Sequence, residues 1–199
     1  DYELPIGEVS KFEAGYRFDN NNNDYDFLNR ETDTFLNYGT VDAYSGNTVY
    51  SEAINAVYTQ FKSKIDKLGY QLGLRAEHSN IGIDYRSLSG NESSREKNYT
   101  GLFPSVFLSY DLGSSNNQLL LNYSRRINRP RSWFLIPYPT SLANRQNLFR
   151  GNEDLNPEYI DSFELGYAIQ KKKLTINPTL YYRSTQDETR FVVLSETPG

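Results

Sequence analysis

The stretch GNEDLNPEYIDSFELGY, residues 151–167, is rich in acidic side chains and supplies Glu153, Asp154 and Glu158 close together. Neighbouring carboxylates can act as general acids and bases or bind hard cations such as Ca²⁺. From Ser162 onward, however, the stretch alternates strictly between polar and apolar residues, which is typical of a half-buried β-strand. The carboxylates therefore end a loop that leads into a strand, and Glu164 is the acid that this strand carries.

A second candidate for chemistry is His78, the only histidine, which follows Glu77. Both residues fall in a predicted strand, where successive side chains point to opposite faces. We therefore expect the two side chains not to share a catalytic site, and one histidine does not make a histidine-rich metal site.

The stretch DNNNNDYDFLNRE has a partial resemblance to a calcium loop, because Asp19, Asn21 and Asn23 occupy ligand positions 1, 3 and 5 of an EF-hand. Asp24 stands where the loop needs glycine, and Arg30 stands where it needs a bidentate glutamate. We interpret the stretch as the solvated tip of a loop and predict no metal site.

Composition excludes several classes of protein. The chain has no cysteine, so disulfides, thiolate metal sites and cysteine nucleophiles are absent. A net charge of -4 with scattered lysines and arginines provides no basic surface for nucleic acid. No phosphate-binding glycine loop or nucleophile elbow occurs in the sequence. We expect no catalytic residue, no cofactor, no enzyme activity and no nucleic-acid partner.

Arginines are concentrated around one long loop, which also contains Trp133, Phe134 and Tyr138. The arginines are Arg125, Arg126, Arg129, Arg131, Arg145 and Arg150. In one interpretation they form a mouth that grips an anionic or sugar ligand, with the aromatic rings available for stacking. In the other they form salt bridges between strands and pack at the membrane interface. The candidate ligand-binding residues are Arg126, Arg131, Trp133, Glu164 and Arg183.

Alternation with period two predicts about seven strands. In four strands the alternation is clear, and one face of each is apolar. These faces carry Phe12, Ala14, Tyr16 and Phe18 in the first strand, Tyr70, Leu72, Leu74 and Ala76 in the second, Phe163, Leu165, Tyr167 and Ile169 in the third, and Leu174, Ile176, Pro178, Leu180 and Tyr182 in the fourth. The strands near residues 50–62 and 99–111 carry apolar residues on both faces. The strands run to roughly ten residues or more, the length that crosses a bilayer, and many apolar faces end in Tyr or Phe.

The predicted connections alternate in length. Short turns are expected at residues 63–67, 111–117 and 170–173, and long loops at 19–47, 86–97 and 128–157. This alternation places all the short turns on one side of the sheet and all the long loops on the other. The chain is therefore predicted to be all-β, an antiparallel up-and-down section of a transmembrane β-barrel with short periplasmic turns and long extracellular loops. Its mean hydropathy of -0.70 agrees with strands whose second face meets water.

Two stretches resemble a known family. LNYSRRINRP, residues 121–130, and RGNEDLNPEYIDSFELGY, residues 150–167, are similar to the late barrel of TonB-dependent outer-membrane receptors. Glu153 departs from the proline usual in that pattern, and Asn156 departs from the usual Lys or Arg, so no charge-based role carries over to Asn156.

The resemblance implies a barrel of about 22 strands with an N-terminal plug, located in the bacterial outer membrane, that imports a nutrient. Its implied partners are outer-membrane lipid, a small nutrient ligand, and a TonB-type energy-coupling protein that acts through the plug. No plug-like segment is apparent, so we expect residues 1–199 to be one section of the larger barrel. Two alternatives remain open: a structural or adhesive barrel that displays long loops, and an outer-membrane enzyme.

Overall fold

A computed structural model of the protein describes residues 1–32, 38–41, 45–113, 117–136, 150–171 and 174–192. Within these residues, no helix is long and apolar enough to cross a membrane. The only helical element there is one 3₁₀ turn at Ser132–Phe134, and the rest of the regular structure is β-strand.

Eleven strands are described in chain order. They are β1 (Tyr2–Ile6), β2 (Ser10–Phe27), β3 (Arg30–Thr32), β4 (Tyr38–Thr40), β5 (Gly46–Ile65), β6 (Leu68–Ser87), β7 (Glu92–Asp111), β8 (Gln118–Asn128), β9 (Glu158–Lys171), β10 (Leu174–Ile176) and β11 (Thr179–Gln186). β3 and β4 form a separate hairpin, and the other nine strands form one antiparallel sheet that does not close into a barrel. Within that sheet β1, β2 and β5–β9 lie side by side, and β10 and β11 both pair with β9.

β10 and β11 continue one another along the same edge of β9. Ile176 pairs with Ile169 and Thr179 with Gly166, so the register does not change across the gap. Pro178 lies in that gap and has no N–H to donate to the ladder, although its carbonyl accepts from the Tyr167 N–H at 3.0 Å. The predicted strand through residues 174–183 is therefore one strand with a proline interruption.

The all-β antiparallel prediction is confirmed, and each of the seven predicted strands has a counterpart. Of the predicted short turns, the one at 63–67 is found as Asp66 and Lys67, which join β5 to β6, with Asp66 in the left-handed region at φ 52°. The turns predicted at 111–117 and 170–173 lie partly outside the described residues. The long loop predicted at 86–97 is wrong, because β6 continues to Ser87 and β7 starts at Glu92. Polar residues had suggested a loop there, but cross-strand pairs keep both strands extended.

The loop predicted at 19–47 is also wrong in its first part, since β2 extends to Phe27. Asp19, Asn21 and Asn23 thus lie on a strand and not on a loop tip, paired with Ile54, Glu52 and Tyr50 of β5. An EF-hand loop must curl around its ion, which an extended strand does not do. No group of residues suited to hold a metal ion is found in the described part of the chain.

One face of the sheet is an apolar surface. The register brings the predicted apolar residues of neighbouring strands onto this same face, with Phe12, Phe61, Leu72, Val106, Tyr123, Phe163 and Tyr182 in a row across seven strands. Many of its large side chains are exposed, for example Leu72 at 46% and Leu102 at 60%. An exposed apolar surface this wide marks contact with a nonaqueous partner.

The apolar surface covers only the half of the sheet next to the short turns. β5, β6 and β7 have 20 residues each, about twice what a tilted strand needs to cross a bilayer. In the other half the same face carries residues such as Asn22, Asp24, Asn80 and Asp84. The halves of these three strands that are farther from the short turns therefore extend beyond the apolar surface, on the side of the long connections.

Candidate functional site

The opposite face of the sheet, the polar face, carries the charged residues. In the half next to the short turns it includes Glu13, Lys62, Arg75, Asn122 and Glu164, which the register places on one side. In the other half it carries a small apolar cluster made of Tyr50, Ile81 and Ile83. Apolar residues on both faces of β5 had blurred its pattern, and the buried Tyr50 is one physical reason.

The described parts of the loop between β8 and β9, residues 129–136 and 150–157, cover this apolar cluster. Leu135 is 1% exposed and packs against Tyr50, Ile81 and Ile83, and Leu155 lies against the same group. Burying a leucine side chain stabilises a structure by about 1.5–3 kcal/mol. The described parts of the loop thus fold inward over the polar face and do not project away from the sheet.

Arg129 joins the start of this loop to the sheet. Its guanidinium donates to a Glu77 carboxylate oxygen and, at 3.0 Å, to Ser79 Oγ, and its Nε lies 3.9 Å from Glu52 Oε1. The group also lies over the Tyr99 ring, 5.8 Å from its centroid. Arg75 binds the other oxygen of Glu77. The side chains of Arg129 and Glu77 are 18% and 9% exposed, so this is a largely buried ion pair.

The far end of the loop is held by the carboxylates of GNEDLNPE. Glu153 accepts from Arg95 Nε at 3.0 Å and from Ser93 Oγ at 3.3 Å, both on β7. Lys97 Nζ, also on β7, donates to the Leu155 carbonyl at 2.6 Å. These acids therefore bind the loop to the sheet, and neither Glu153 nor Asp154 belongs to a cluster suited to a metal among the described residues.

Glu158 stands at the first position of β9, beyond the apolar surface. It accepts from the Thr189 N–H at 2.8 Å and from Asn128 Nδ2 at 2.8 Å. These two hydrogen bonds, the one from Thr189 first, lower the pKa of Glu158 below its ordinary value. Its carboxylate is ionised at neutral pH and fastens the strand to its neighbours, so a general-acid role at neutral pH is not favoured.

Gly151 is the point where the two ends of the loop meet. Its N–H donates to the Ile136 carbonyl at 2.8 Å, and the next N–H, of Asn152, donates to the Phe134 carbonyl at 2.7 Å. A Cβ at Gly151 would overlap both of these carbonyl oxygens. Only glycine allows the two backbone segments to come so close.

We expect Gly151→Ala to loosen the loop while leaving the sheet intact, because the methyl group must push the backbone at Phe134 and Ile136 apart. The measurement is limited proteolysis of the membrane-inserted protein, with cleavage between residues 129 and 157 accelerated several-fold. Gly90→Ala is the control, since it lies in the turn between β6 and β7 with open space around it. Because Gly90 has a positive φ, an alanine strains the backbone there as well, but far from the loop. Equal acceleration of loop cleavage by the two substitutions would contradict a specific role for Gly151.

Of the five predicted ligand-binding residues, Glu164 and Arg183 come together. They line one shallow cavity of about 210 Å³ with Ser162, Thr179, Tyr181 and Tyr182. Arg126 lies on the same face of the neighbouring strand β8, opposite Ile160. Glu164 pairs in register with Asn122 of β8 and accepts from its amide at 3.4 Å. Arg126 lies four residues further along β8, so an ion pair between Arg126 and Glu164 would have to span that distance.

Arg131 and Trp133 lie in the loop, away from that cavity. Trp133 stacks on Phe134 with ring centroids 3.8 Å apart and is 42% exposed. Phe134 in turn contacts Phe191, with centroids 5.4 Å apart. The structure therefore places Glu164 and Arg183 in a cavity on β9 and β11 and Trp133 in an aromatic group on the loop, while Arg126 lies on the neighbouring strand β8 and Arg131 in the loop. Tyr138 and Arg145 lie outside the described residues.

The arginines of SRRINR have different surroundings although they are close in sequence. Arg125 lies over the Tyr159 ring at 5.2 Å, Arg126 faces the polar side, and Arg129 enters the buried cluster. Sequence reasoning did not select Arg129, Glu77 or Glu52 as site residues. The sequence did carry a signal for Glu77. It lies in the middle of a predicted strand, between polar residues on the same face, and an acid in such a position needs a cation nearby.

His78 and Glu77 point to opposite faces of β6, as the alternation predicts. The His78 ring points away from Glu77 and lies 2.9 Å from Thr100 Oγ1 on the next strand, on the apolar side of the sheet.

The chain matches a known protein family. The model of the outer membrane protein beta-barrel family matches residues 1–198, which is nearly the whole chain. No curated protein matches the chain.

Proposed function

The chain belongs to the outer membrane protein beta-barrel family and resides in the bacterial outer membrane, and from this premise we propose that it is part of a TonB-dependent receptor that binds and imports a nutrient. In this setting the apolar face meets lipid and the polar face lines a wet lumen. Energy for import would come from a TonB-type coupling protein that acts through a plug domain. The chain binds and passes the nutrient without altering it.

The observation that carries the proposal is the inward fold of the described parts of the β8–β9 loop, residues 129–136 and 150–157. A barrel that displays its loops for adhesion needs them directed outward, whereas here Leu135, Leu155 and Arg129 attach the loop to the lumen wall. A loop in this position narrows the lumen and lies on the path of an entering ligand. The resemblance of residues 121–130 and 150–167 to TonB-dependent receptors supports the same proposal, because Arg129 and Leu155 lie in those two stretches.

Growth of a deletion strain on single nutrients tests the proposal. We expect the strain to lose growth on one nutrient at limiting concentration and to regain it with the intact gene. Removal of the TonB-type coupling protein should abolish the same growth. Growth on every nutrient unchanged by the deletion, or restored growth that does not need the coupling protein, would contradict import by a TonB-dependent receptor and favour the structural or adhesive alternative.

A further inference from the structure

Charges on the polar face are largely matched along β2, β5 and β6. Lys11 binds Glu3 and Glu13, and Arg17 binds Asp19 at 2.6 Å. Lys64 binds Asp111 at 2.7 Å, and Arg75 shares Glu77 with Arg129. Apart from Lys62, the cations of this part of the wall have anionic partners within the protein, so they offer little to a ligand.

The wall formed by β8, β9 and β11 differs. Arg126, Arg183 and Glu164 all face the lumen there, and none of them has an ion-pair partner among the described residues. All three side chains are exposed. Two cations and one anion are therefore available together on three adjacent strands.

The register fixes their spacing. Arg183 pairs with Ser162, and Glu164 is the next residue on the same face of β9, so Arg183 and Glu164 are diagonal neighbours about 7–8 Å apart. Arg126 is two strands from Arg183 and two residues further along, a distance of about 12 Å from the usual strand spacing and rise. Both arginine side chains are long enough to reach over Ser162, which lies between them.

Hydroxyl groups fill the space around these charges. Ser162, Thr179 and Tyr181 line the cavity with Glu164 and Arg183, and Ser124 pairs with Ser162 from the other side. Each can donate to or accept from a polar ligand. The cavity is shallow and open, which suits a small ligand that passes along the wall more than one held in a closed pocket.

Resting on the function proposed above, we propose that this cavity binds zwitterionic short peptides. Arg126 and Arg183 hold the terminal carboxylate, and Glu164 holds the terminal ammonium. Guanidinium groups bind carboxylates in a bidentate manner, and a carboxylate accepts well from an ammonium. An extended chain advances at most about 3.3–3.6 Å per residue. The roughly 7–8 Å between Arg183 and Glu164 fits about two residues, and the distance of about 14 Å between Arg126 and Glu164, which lie one strand and four residues apart, fits about four.

Equilibrium binding of trialanine to the full chain in detergent micelles tests the site. N-acetyl-trialanine and trialanine amide each lack one terminal charge. We expect each to bind about tenfold more weakly than trialanine, the order expected for loss of a charge-assisted hydrogen bond. Glu164→Gln should remove the preference for the free amino terminus. Arg183→Gln should weaken the preference for the free carboxylate, since Arg126 remains. Arg17→Gln, on the same face but away from the cavity, should keep both.

The results separate this inference from the proposed function. Equal binding of all three peptides, or preferences unchanged by Glu164→Gln and Arg183→Gln in a protein that retains its β-structure, would overturn the peptide site. Growth that depends on the coupling protein but on a nutrient other than peptide would overturn it too, while leaving import intact. Selective trialanine binding together with growth independent of the coupling protein would uphold the site and reject the import mechanism.

Discussion

Replacing Leu72 with arginine will destabilise the inserted protein by about 2–4 kcal/mol, the cost of an arginine facing lipid near the middle of a bilayer. Leu72 lies on the apolar face of β6 and is 46% exposed in the isolated sheet. Its cross-strand partners, Phe61 of β5 and Val106 of β7, are also apolar, so the new charge has no polar neighbour there. The measurement is the midpoint of denaturant unfolding from phospholipid vesicles.

Gln71→Arg is the matched control, because the residue is adjacent in the chain and points to the opposite face. Its cross-strand partners are Lys62 and Phe107, and it meets the wet lumen in this account. We expect this variant to lose less than about 1 kcal/mol, which is the cost of a like charge opposite Lys62 in water. Equal destabilisation by the two arginines would show that the two faces do not differ in solvent.

Replacing Arg129 with alanine will release the β8–β9 loop and cost about 3 kcal/mol, the lower end of the range for removal of one partner of a buried ion pair. The lower end applies because Glu77 keeps Arg75 as a second partner. Glu52 and Ser79 also lose a contact to the guanidinium. Denaturant unfolding measures the cost, and proteolysis between residues 129 and 157 reports release of the loop.

A double-mutant cycle with Glu77→Gln separates the ion pair from the packing of the arginine stem. Because the two side chains bind each other, their effects should be less than additive, by more than about 0.5 kcal/mol. Arg131→Ala is the control for a nearby exposed arginine and should change stability little. Additive effects of the Arg129 and Glu77 variants would contradict the pairing.

The apolar face could be predicted from sequence because the period of two is strict where lipid is the solvent. The pattern of Tyr70, Leu72, Leu74 and Ala76 gave both the strand and its outward face. The same reasoning wrongly predicted a loop at 86–97. The polar residues there lie on strands whose two faces are both outside the lipid. Alternation of polar and apolar residues appears only where the two faces of a strand meet different solvents. It therefore does not reveal a strand that has water on both faces.

The site could be predicted only in part, for a related reason. Glu164 and Arg183 were found because alternation assigns their face, and the register then places them together. The contact of Arg129 with Glu77 joins positions 52 residues apart through a loop that folds back. No local pattern encodes the direction of such a loop, since it depends on Tyr50, Ile81 and Ile83 forming the cluster that Leu135 covers.

Single-cysteine labelling along β6 tests the central claim most directly, namely that one face of this sheet meets lipid and the other a wet lumen. The chain has no cysteine, so each introduced thiol is the only one. With a water-soluble maleimide, we predict protection at positions 70, 72, 74 and 76 and reaction at 71, 73 and 75, followed by reaction at 84 and 86, where the strand has left the lipid. Equal reaction at neighbouring positions throughout 70–76 would contradict the account.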